Sequence, residues 1–277
     1  MGLKSMATGE PTDEKLVQDY VSKWYKKRYS GTGFLYHARV VTEMLEGVKF
    51  RDGRNSDSIL DTGCGTGFVS QLYPSFDVTG IDISDGMLAQ NPYKWVKAPA
   101  EALPFSDASF DWVVCRSLLH HLEDPRKGMA EMVRVLKPGG RWVAWEPNLS
   151  PWNDWIRWVS KKTKRFSHWH KNFQPQELID MVETAGLTIT SKKYHGHLAY
   201  PTLGFPDILD LRLPIWLGRK LMWVDDQLAK TPLDVMGWAV MLKAVKPLER
   251  KPLPPDHYQG TYVDTMARKL IREGKLA

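Results

Sequence analysis

ILDTGCGTG, Ile59 to Gly67, is the stretch that decides the fold. An apolar pair, Ile59 and Leu60, runs into an acid, Asp61, and then into three glycines spaced by small residues. A buried strand that stops in a glycine-rich turn and feeds a helix is how α/β proteins bring backbone against a nucleotide. Glycine serves there because a Cβ would obstruct the ligand or forbid positive φ. Plain tight turns use glycines too, so the continuation matters. IDIS follows, Ile81 to Ser84, and Asp82 falls about twenty residues past the first glycine. A strand-end acid there can hydrogen-bond both hydroxyls of a ribose. Asp82 is also placed to cap the next helix, a task Ser84 can equally perform.

The dinucleotide fingerprint asks for GxGxxG. Here Phe68 takes the last position of that pattern and Gly67 comes one residue early. DxGxGxG followed by GxDxS resembles motifs I and II of class I S-adenosylmethionine (SAM) methyltransferases. HHLEDPRKGMAEMVRVLKPGGRWV, His120 to Val143, is similar to the same family along its whole length. The resemblance covers residues 58 to 148 closely and 175 to 247 loosely. It implies an α/β fold: a Rossmann-like, seven-stranded, mostly parallel sheet with an antiparallel last strand and helices on both faces. An N-terminal helical lid and a helical insertion before the last strand complete it.

The resemblance also implies roles. Asp61, Gly63, Cys64 and Gly65 would hold SAM from the first loop. Asp82, Ile83 and Met87 would do so from the second. Ala100 and Glu101 would sit near the adenine, and Arg116, Ser117 and Leu118 near the methionine end. One departure stands out. The family's third motif commonly reads GDAEALPF, and here Pro99 replaces its Asp, which accepts a hydrogen bond from the adenine amino group. Proline has no N–H to offer instead. The backbone at Ala100 or the Glu101 side chain is left to make that contact.

With 277 residues, 43% hydrophobic and 25% charged, the chain is globular in composition and long enough for one elaborated α/β domain. Its net charge of +6 suits an anionic partner or an ordinary basic surface. Two cysteines, Cys64 and Cys115, make neither a disulfide framework nor a metal set, which fits a reducing compartment. His120 and His121 are adjacent and no CxxC occurs, so no metal is expected. The N-terminus lacks the apolar run of a secretory leader, and no run of about twenty apolar residues predicts a membrane span. A cytoplasmic location follows as the expectation, with peripheral membrane contact as an addition to it.

Along the chain, residues 1 to 50 predict a helical cap. Leu16, Tyr20 and Trp24 recur every four residues on one helix, and Val40, Val41, Met44 and Leu45 are buried positions of a second. YSGTGF, Tyr29 to Phe34, reads as a hinge-like loop between them. In the family such helices cover the cofactor with aromatic side chains, and Tyr20, Tyr25 and Tyr29 are candidates. Residues 51 to 247 form the methyltransferase domain, with the insertion at 198 to 235 cut by prolines at 201, 206, 214 and 232. Strands are expected at 58–62, 78–83, within 94–105, at 110–115 and at 141–148, then after the helix at 175–189. The last strand, at 237–247, is expected as the antiparallel partner of the sixth at the sheet edge. Asp124 and Pro125 start a helix whose buried face is Met129, Met132, Val133 and Leu136. Residues 248 to 277 are a basic C-terminal extension.

Methyl transfer from SAM needs mainly alignment of the acceptor. A neutral hydroxyl or amine acceptor also needs a base, worth about 10²–10⁴-fold. His120, His121 and Glu146 lie at the carboxyl ends of strands and are the candidates, with His168 and His170 further along. Adjacent histidines on one helix point in different directions, so at most one faces an acceptor. Residues 148 to 173 carry four tryptophans among basic residues, and the later insertion is rich in Leu and Trp. Such segments can stack nucleic-acid bases, hold a lipid with cations reaching its headgroup, or form a small core. A small-molecule or lipid-like acceptor is favoured over nucleic acid, because no RNA module and no concentrated basic run is present. The sequence sets no oligomeric state. The rival functions are a non-catalytic SAM-binding or membrane-associated module, and an NAD(P)-dependent oxidoreductase.

Overall fold

Ile59 to Thr62 are buried to the last residue, so this strand is covered on both faces and belongs at the centre of a parallel sheet. The computed structural model describes residues 14–48, 50–51, 54–55, 57–149, 173–204 and 213–248. Its main sheet has seven strands: β1 Ser58–Thr62, β2 Asp77–Asp82, β3 Trp95–Lys97, β4 Phe110–Arg116, β5 Leu136–Pro147, β6 Thr188–His195 and β7 Ala239–Val245. The spatial order is β3-β2-β1-β4-β5-β7-β6. β7 is antiparallel to both neighbours and the other pairings are parallel. The order reverses between β1 and β4, so their diverging loops open a crevice at the carboxyl edge of the sheet.

The helices are α1 Glu14–Arg28, α2 Gly31–Met44, α3 Phe68–Leu72, α4 Asp85–Leu88, α5 Pro125–Val135, α6 Pro175–Thr184 and α7 Ile215–Leu228. Strand alternation sorts the core into two layers. Leu60, Val113, Trp142 and Leu242 pack with Met129, Met132 and Val133 of α5 and Leu178 of α6. Ile59, Val114, Val143 and Trp145 pack with Val40, Val41 and Met44 of α2, Phe68 of α3 and Tyr200 of the insertion. α5 starts as its sequence predicts, because the Asp124 carboxylate accepts from the N–H groups of Arg126 and Lys127, with Pro125 in the first turn.

Four expectations are corrected. YSGTGF is not a hinge-like loop: α2 begins at Gly31, because the Phe34 N–H reaches back to the Ser30 carbonyl and the helix propagates from there. Leu16 is not part of a buried stripe and is 54% exposed, since α1 docks through polar side chains described below. The last strand is not at the edge. β7 lies between β5 and β6, and β6 forms the edge. β5 begins at Leu136 instead of 141, because Gly139 N–H donates to the Lys246 carbonyl and Lys246 N–H to that of Gly140, which extends the ladder through LKPGG. His168, His170, the tryptophans at 152, 155, 158 and 169, the side chains of Tyr20 and Trp24, and the extension from 249 onward lie outside the described residues.

β1 and β2 are held so close at their loop ends that a Cβ on Gly80 would meet Cys64 Sγ at 2.6 Å and Cys64 Cβ at 2.7 Å. Gly80→Ala therefore forces the glycine-rich turn off the sheet. A loss of about 1–3 kcal/mol in urea unfolding is expected, whereas Gly86→Ala, which meets the Ser22 hydroxyl of α1, should instead loosen α1 and leave the global midpoint nearly unchanged.

Candidate active site

The turn after β1 is drawn against β2 by backbone and carboxylate together. Cys64 N–H donates to the Ile81 carbonyl at 2.9 Å. The Asp82 carboxylate accepts from Gly65 N–H and from Ser84 N–H, both at 2.9 Å. Asn91 closes the far side: its Nδ2 donates to the Gly65 carbonyl at 3.2 Å, and a Cβ on Gly67 would strike its Oδ1. Gly63, Gly65 and Gly67 all have positive φ, the left-handed conformation that glycine adopts without strain. Ser84 caps α4 by accepting from Met87 N–H at 3.1 Å, which leaves Asp82 free to face the crevice.

That crevice is a cavity of about 470 Å³. Gly63, Cys64, Gly65, Asp82, Ile83 and Met87 line one side, and Pro99, Ala100 and Glu101 continue it. Arg116, Ser117, Leu118 and His121 come from the end of β4. Ser117 holds φ of 54° without being glycine, and its N–H donates to the Trp145 carbonyl at 2.8 Å. Such left-handed backbone away from glycine is concentrated at functional loops.

Three candidates from the sequence stand outside the lining. Asp61 is buried, and burial pushes its pKa up to about 7 even though Arg116 pulls it down. Glu146 is wholly buried and points away from the cavity. It accepts from Leu118 N–H at 2.8 Å, Leu119 N–H at 3.0 Å and His120 Nδ1–H at 2.7 Å. Burial likewise lifts its pKa to about 7, and those N–H groups oppose the rise. Glu146 and His120 thus brace the loop after β4 from beneath, and of the two adjacent histidines only His121 reaches the cavity.

The opposite wall comes from residues that no motif marked. Tyr25, Arg28 and Tyr29 of the α1 end, His37 of α2, Trp145 of β5 and Tyr200 of the insertion all line it. Tyr29 stacks on Phe68 with ring centroids 4.1 Å apart and receives a hydrogen bond from Arg116 Nη2 at 2.6 Å. His37 Nε2 donates to the Gly204 carbonyl at 3.2 Å, so its Nδ1 is left to accept from Arg116 Nη1 at 3.5 Å. Burial, with Arg116 and Arg28 nearby, holds His37 well below its usual pKa, so it stays neutral. Tyr25 and Tyr29 were legible as aromatics on a cap helix. Arg28, His37 and Tyr200 had no local signal, because they meet only when three distant segments fold together.

α1 is latched over the cavity by Asp19. Its carboxylate accepts from Ser84 Oγ at 2.5 Å and from Gly86 N–H at 2.8 Å, and Gln90 Nε2 donates to the Ser22 carbonyl at 3.1 Å. These bonds together with Lys15 hold the Asp19 pKa below the ordinary carboxylate value, against the opposing effect of burial.

Comparison with known proteins agrees with this geometry. The family described as "Methyltransferase domain" matches residues 60–144. The chain is 34% identical over 186 residues to a demethylmenaquinone methyltransferase of Symbiobacterium thermophilum, covering 61% of this chain and 69% of that one. It is 30% identical over 224 residues to the demethylmenaquinone methyltransferase of Listeria welshimeri, covering 68% and 93%. The solved structure of a SAM-dependent methyltransferase from Thermotoga maritima has the same fold, with a TM-score of 0.57 at 17% identity over 83% of this chain and 98% of that one.

Asp61 gives a signed test. A carboxyl whose folded pKa is raised contributes stability below its usual value near 3.8 and loses that contribution as pH rises towards 7. The stability of the wild type relative to Asp61→Asn should therefore fall by at least about 1 kcal/mol between pH 4 and 7, measured by urea unfolding. A flat difference would show that Asp61 ionises normally. The latch has the opposite sign: Asp19 stabilises α1 docking above the ordinary carboxylate pKa and releases it as pH drops through the lowered one. Asp19→Asn should lower the hydrogen-exchange protection of α1 at pH 7, and acidification through the lowered Asp19 pKa should remove the difference between wild type and variant.

Proposed function

Because this chain belongs to the class I SAM-dependent methyltransferases, with SAM as cofactor, we propose that it transfers the methyl group to a small, lipid-like acceptor bearing a hydroxylated aromatic ring. The observation that carries this is the mixed lining of the cavity, in which acids and cations stand among aromatic rings. Asp82, Glu101 and Glu123 line the cavity together with Arg28 and Arg116 and with the rings of Tyr25, Tyr29, Trp145 and Tyr200. The names of the two demethylmenaquinone methyltransferases support an acceptor of the quinone kind. No finding favours the oxidoreductase or the non-catalytic module.

The residues present fit SAM. The glycine turn lets backbone approach a ligand: Gly65, at positive φ, lines the cavity, and a Cβ there would reach within 3.9 Å of Tyr25 and Met87, which line it too. The Asp82 carboxylate accepts backbone N–H groups from its own and the neighbouring loop and lines the cavity, where its oxygens can also accept from a ribose hydroxyl. Asp61 and Arg116, opposite in charge and close enough to shift each other, suit the amino and carboxylate groups of a methionine end. Ala100 and Glu101 replace the missing Asp at 99 for the adenine. When bound, SAM supplies a sulfonium-activated methyl group open to in-line displacement by an aligned nucleophile.

The chain's own residues then have three tasks. The aromatic wall excludes water and lays the acceptor ring in one orientation, which is the larger part of the rate effect. His121, within the lining, accepts the proton that a ring hydroxyl gives up as the ring becomes nucleophilic. Arg116, fixed by Tyr29 and by neutral His37, stabilises negative charge on the ring oxygen once that proton has left. A soft, ring-bearing acceptor of this kind would bring the protein to a membrane surface.

Purified protein with methyl-labelled SAM and a lipid extract should place the label in the organic-soluble fraction. Label confined to macromolecules, or no transfer where a control methyltransferase works, would overturn the acceptor class. Asp82→Ala should weaken SAM binding by about 10–100-fold in calorimetry, from the loss of charged hydrogen bonds. His121→Ala should leave that affinity unchanged and lower kcat by about 10²–10⁴-fold.

A further inference from the structure

The insertion between β6 and β7 presents its apolar side chains outward. Eleven large hydrophobic residues are exposed among those described, and seven of them, Leu198, Ile215, Trp216, Trp223, Leu233, Val235 and Met236, belong to it. Trp216 is 66% exposed and Trp223 60%. α7 turns Gly218, Met222 and Asp225 inward, with Leu221 half-buried against the same core. Gly218 lies so close to α2 that a Cβ would meet Thr32 Cγ2 at 2.8 Å, and Met222 and Asp225 are buried on the same side. At 100° per residue, Ile215, Arg219, Trp223, Trp216 and Lys220 fall on one arc of about 140°, whose edge towards α2 is marked by Asp226, paired with Arg39. The turn Pro232–Met236 packs beside α7 and adds Leu233, Val235 and Met236. A soluble helix normally places its large apolar residues on the inner face and its charges outside.

The charges of the insertion are sorted as well. Among the described residues its acids turn inward or are paired. Asp225 accepts from the N–H groups of Leu198 and Ala199, Asp226 pairs with Arg39 of α2, and Asp234 lies against His197. Arg219, Lys220 and Lys230 are exposed. Among the described residues, solvent on this side meets tryptophans, three cations and the Arg39-paired Asp226.

We propose that this face docks on an anionic bilayer, with Trp216 and Trp223 seated at the headgroup level and Arg219, Lys220 and Lys230 against lipid phosphates, so that an apolar acceptor reaches the cavity without crossing water. Indole rings favour the membrane–water interface, and basic side chains beside them reach the headgroups. Each cation near an anionic surface strengthens binding about fivefold. The face is joined to the cavity by one short element, Tyr200–Gly204. Tyr200 lines the cavity 4.9 Å from the Trp145 ring, the Gly204 carbonyl receives the His37 bond, and Leu203 lies against α7 near Gly218. The acceptor route rests on the lipid-like acceptor proposed above, whereas the docking itself is measured without any acceptor.

Co-sedimentation with phosphatidylcholine vesicles containing phosphatidylglycerol, and with phosphatidylcholine alone, tests it. The protein should sediment with the anionic vesicles, and added salt should release it. Trp216→Ser with Trp223→Ser, and separately Arg219→Glu with Lys220→Glu, should each weaken binding at least tenfold. All four positions are exposed, so both variants should retain SAM affinity and thermal midpoint. Absence of sedimentation, or equal binding by every variant, overturns the docking. So does a concentration-dependent dimer that the tryptophan double variant abolishes, since the face would then belong to a second copy. Docking that persists while label from SAM enters only water-soluble products would overturn the lipid-like acceptor and leave the surface standing.

Discussion

Three carboxylates tie the loops at the open edge of the sheet, and the cavity depends on them. A parallel strand ends by leaving backbone N–H groups of the following loop without a ladder partner, and in a part-buried place each must find an acceptor. Asp82, ending β2, accepts from the turn after β1. Glu146, ending β5 one position before Pro147, accepts from the loop after β4. Asp19, on α1, accepts from the start of α4. Each acid belongs to one segment and fixes its neighbour, so the loops that line the cavity are held from outside themselves.

The same arrangement explains why burial raises three of the acids, Asp61, Glu146 and Asp82. Asp61 and Glu146 sit where the sheet is covered on both faces, and both have pKa values pushed up to about 7. Glu146 is surrounded by donors and serves the loop. Asp61 lies beside Arg116, and the two form a polar floor under the glycine turn. Asp82 is also raised by burial, while the N–H groups of Ser84, Gly65 and Ile83 pull the other way. A site held by strained and desolvated groups of this sort is ready for a polar ligand that compensates them.

The lid and the insertion converge through Arg116. Its guanidinium meets Tyr29 from the α1 end and His37 from α2, and His37 passes the connection to Gly204 of the insertion. The end of α1, α2 and the start of the insertion are therefore linked by one chain of hydrogen bonds. Leu203, one residue before Gly204, lies against α7 near Gly218, so the insertion touches both the wall and the helix that carries the tryptophans.

Much of this was written locally. ILDTGCGTG, IDIS and the residues from His120 to Val143 determine the strand–turn–helix units and the parallel core, because apolar runs, glycines and caps act over a few residues. The alternation in β5 even carries the answer for Glu146: Trp145 lines the cavity, so the next residue must face the opposite layer. What the sequence could not determine is whatever depends on distant segments meeting. The start of α2 inside an apparent hinge, the place of β7 between β5 and β6, and the cluster of Arg28, His37, Arg116 and Tyr200 are of that kind. So is the direction of α7, whose pattern of Trp, Leu and Arg is equally compatible with a buried helix. Local propensity sets which elements form. Only tertiary packing decides which face of each is left for solvent, cofactor or membrane, since burial is a property of the neighbours and not of the segment itself.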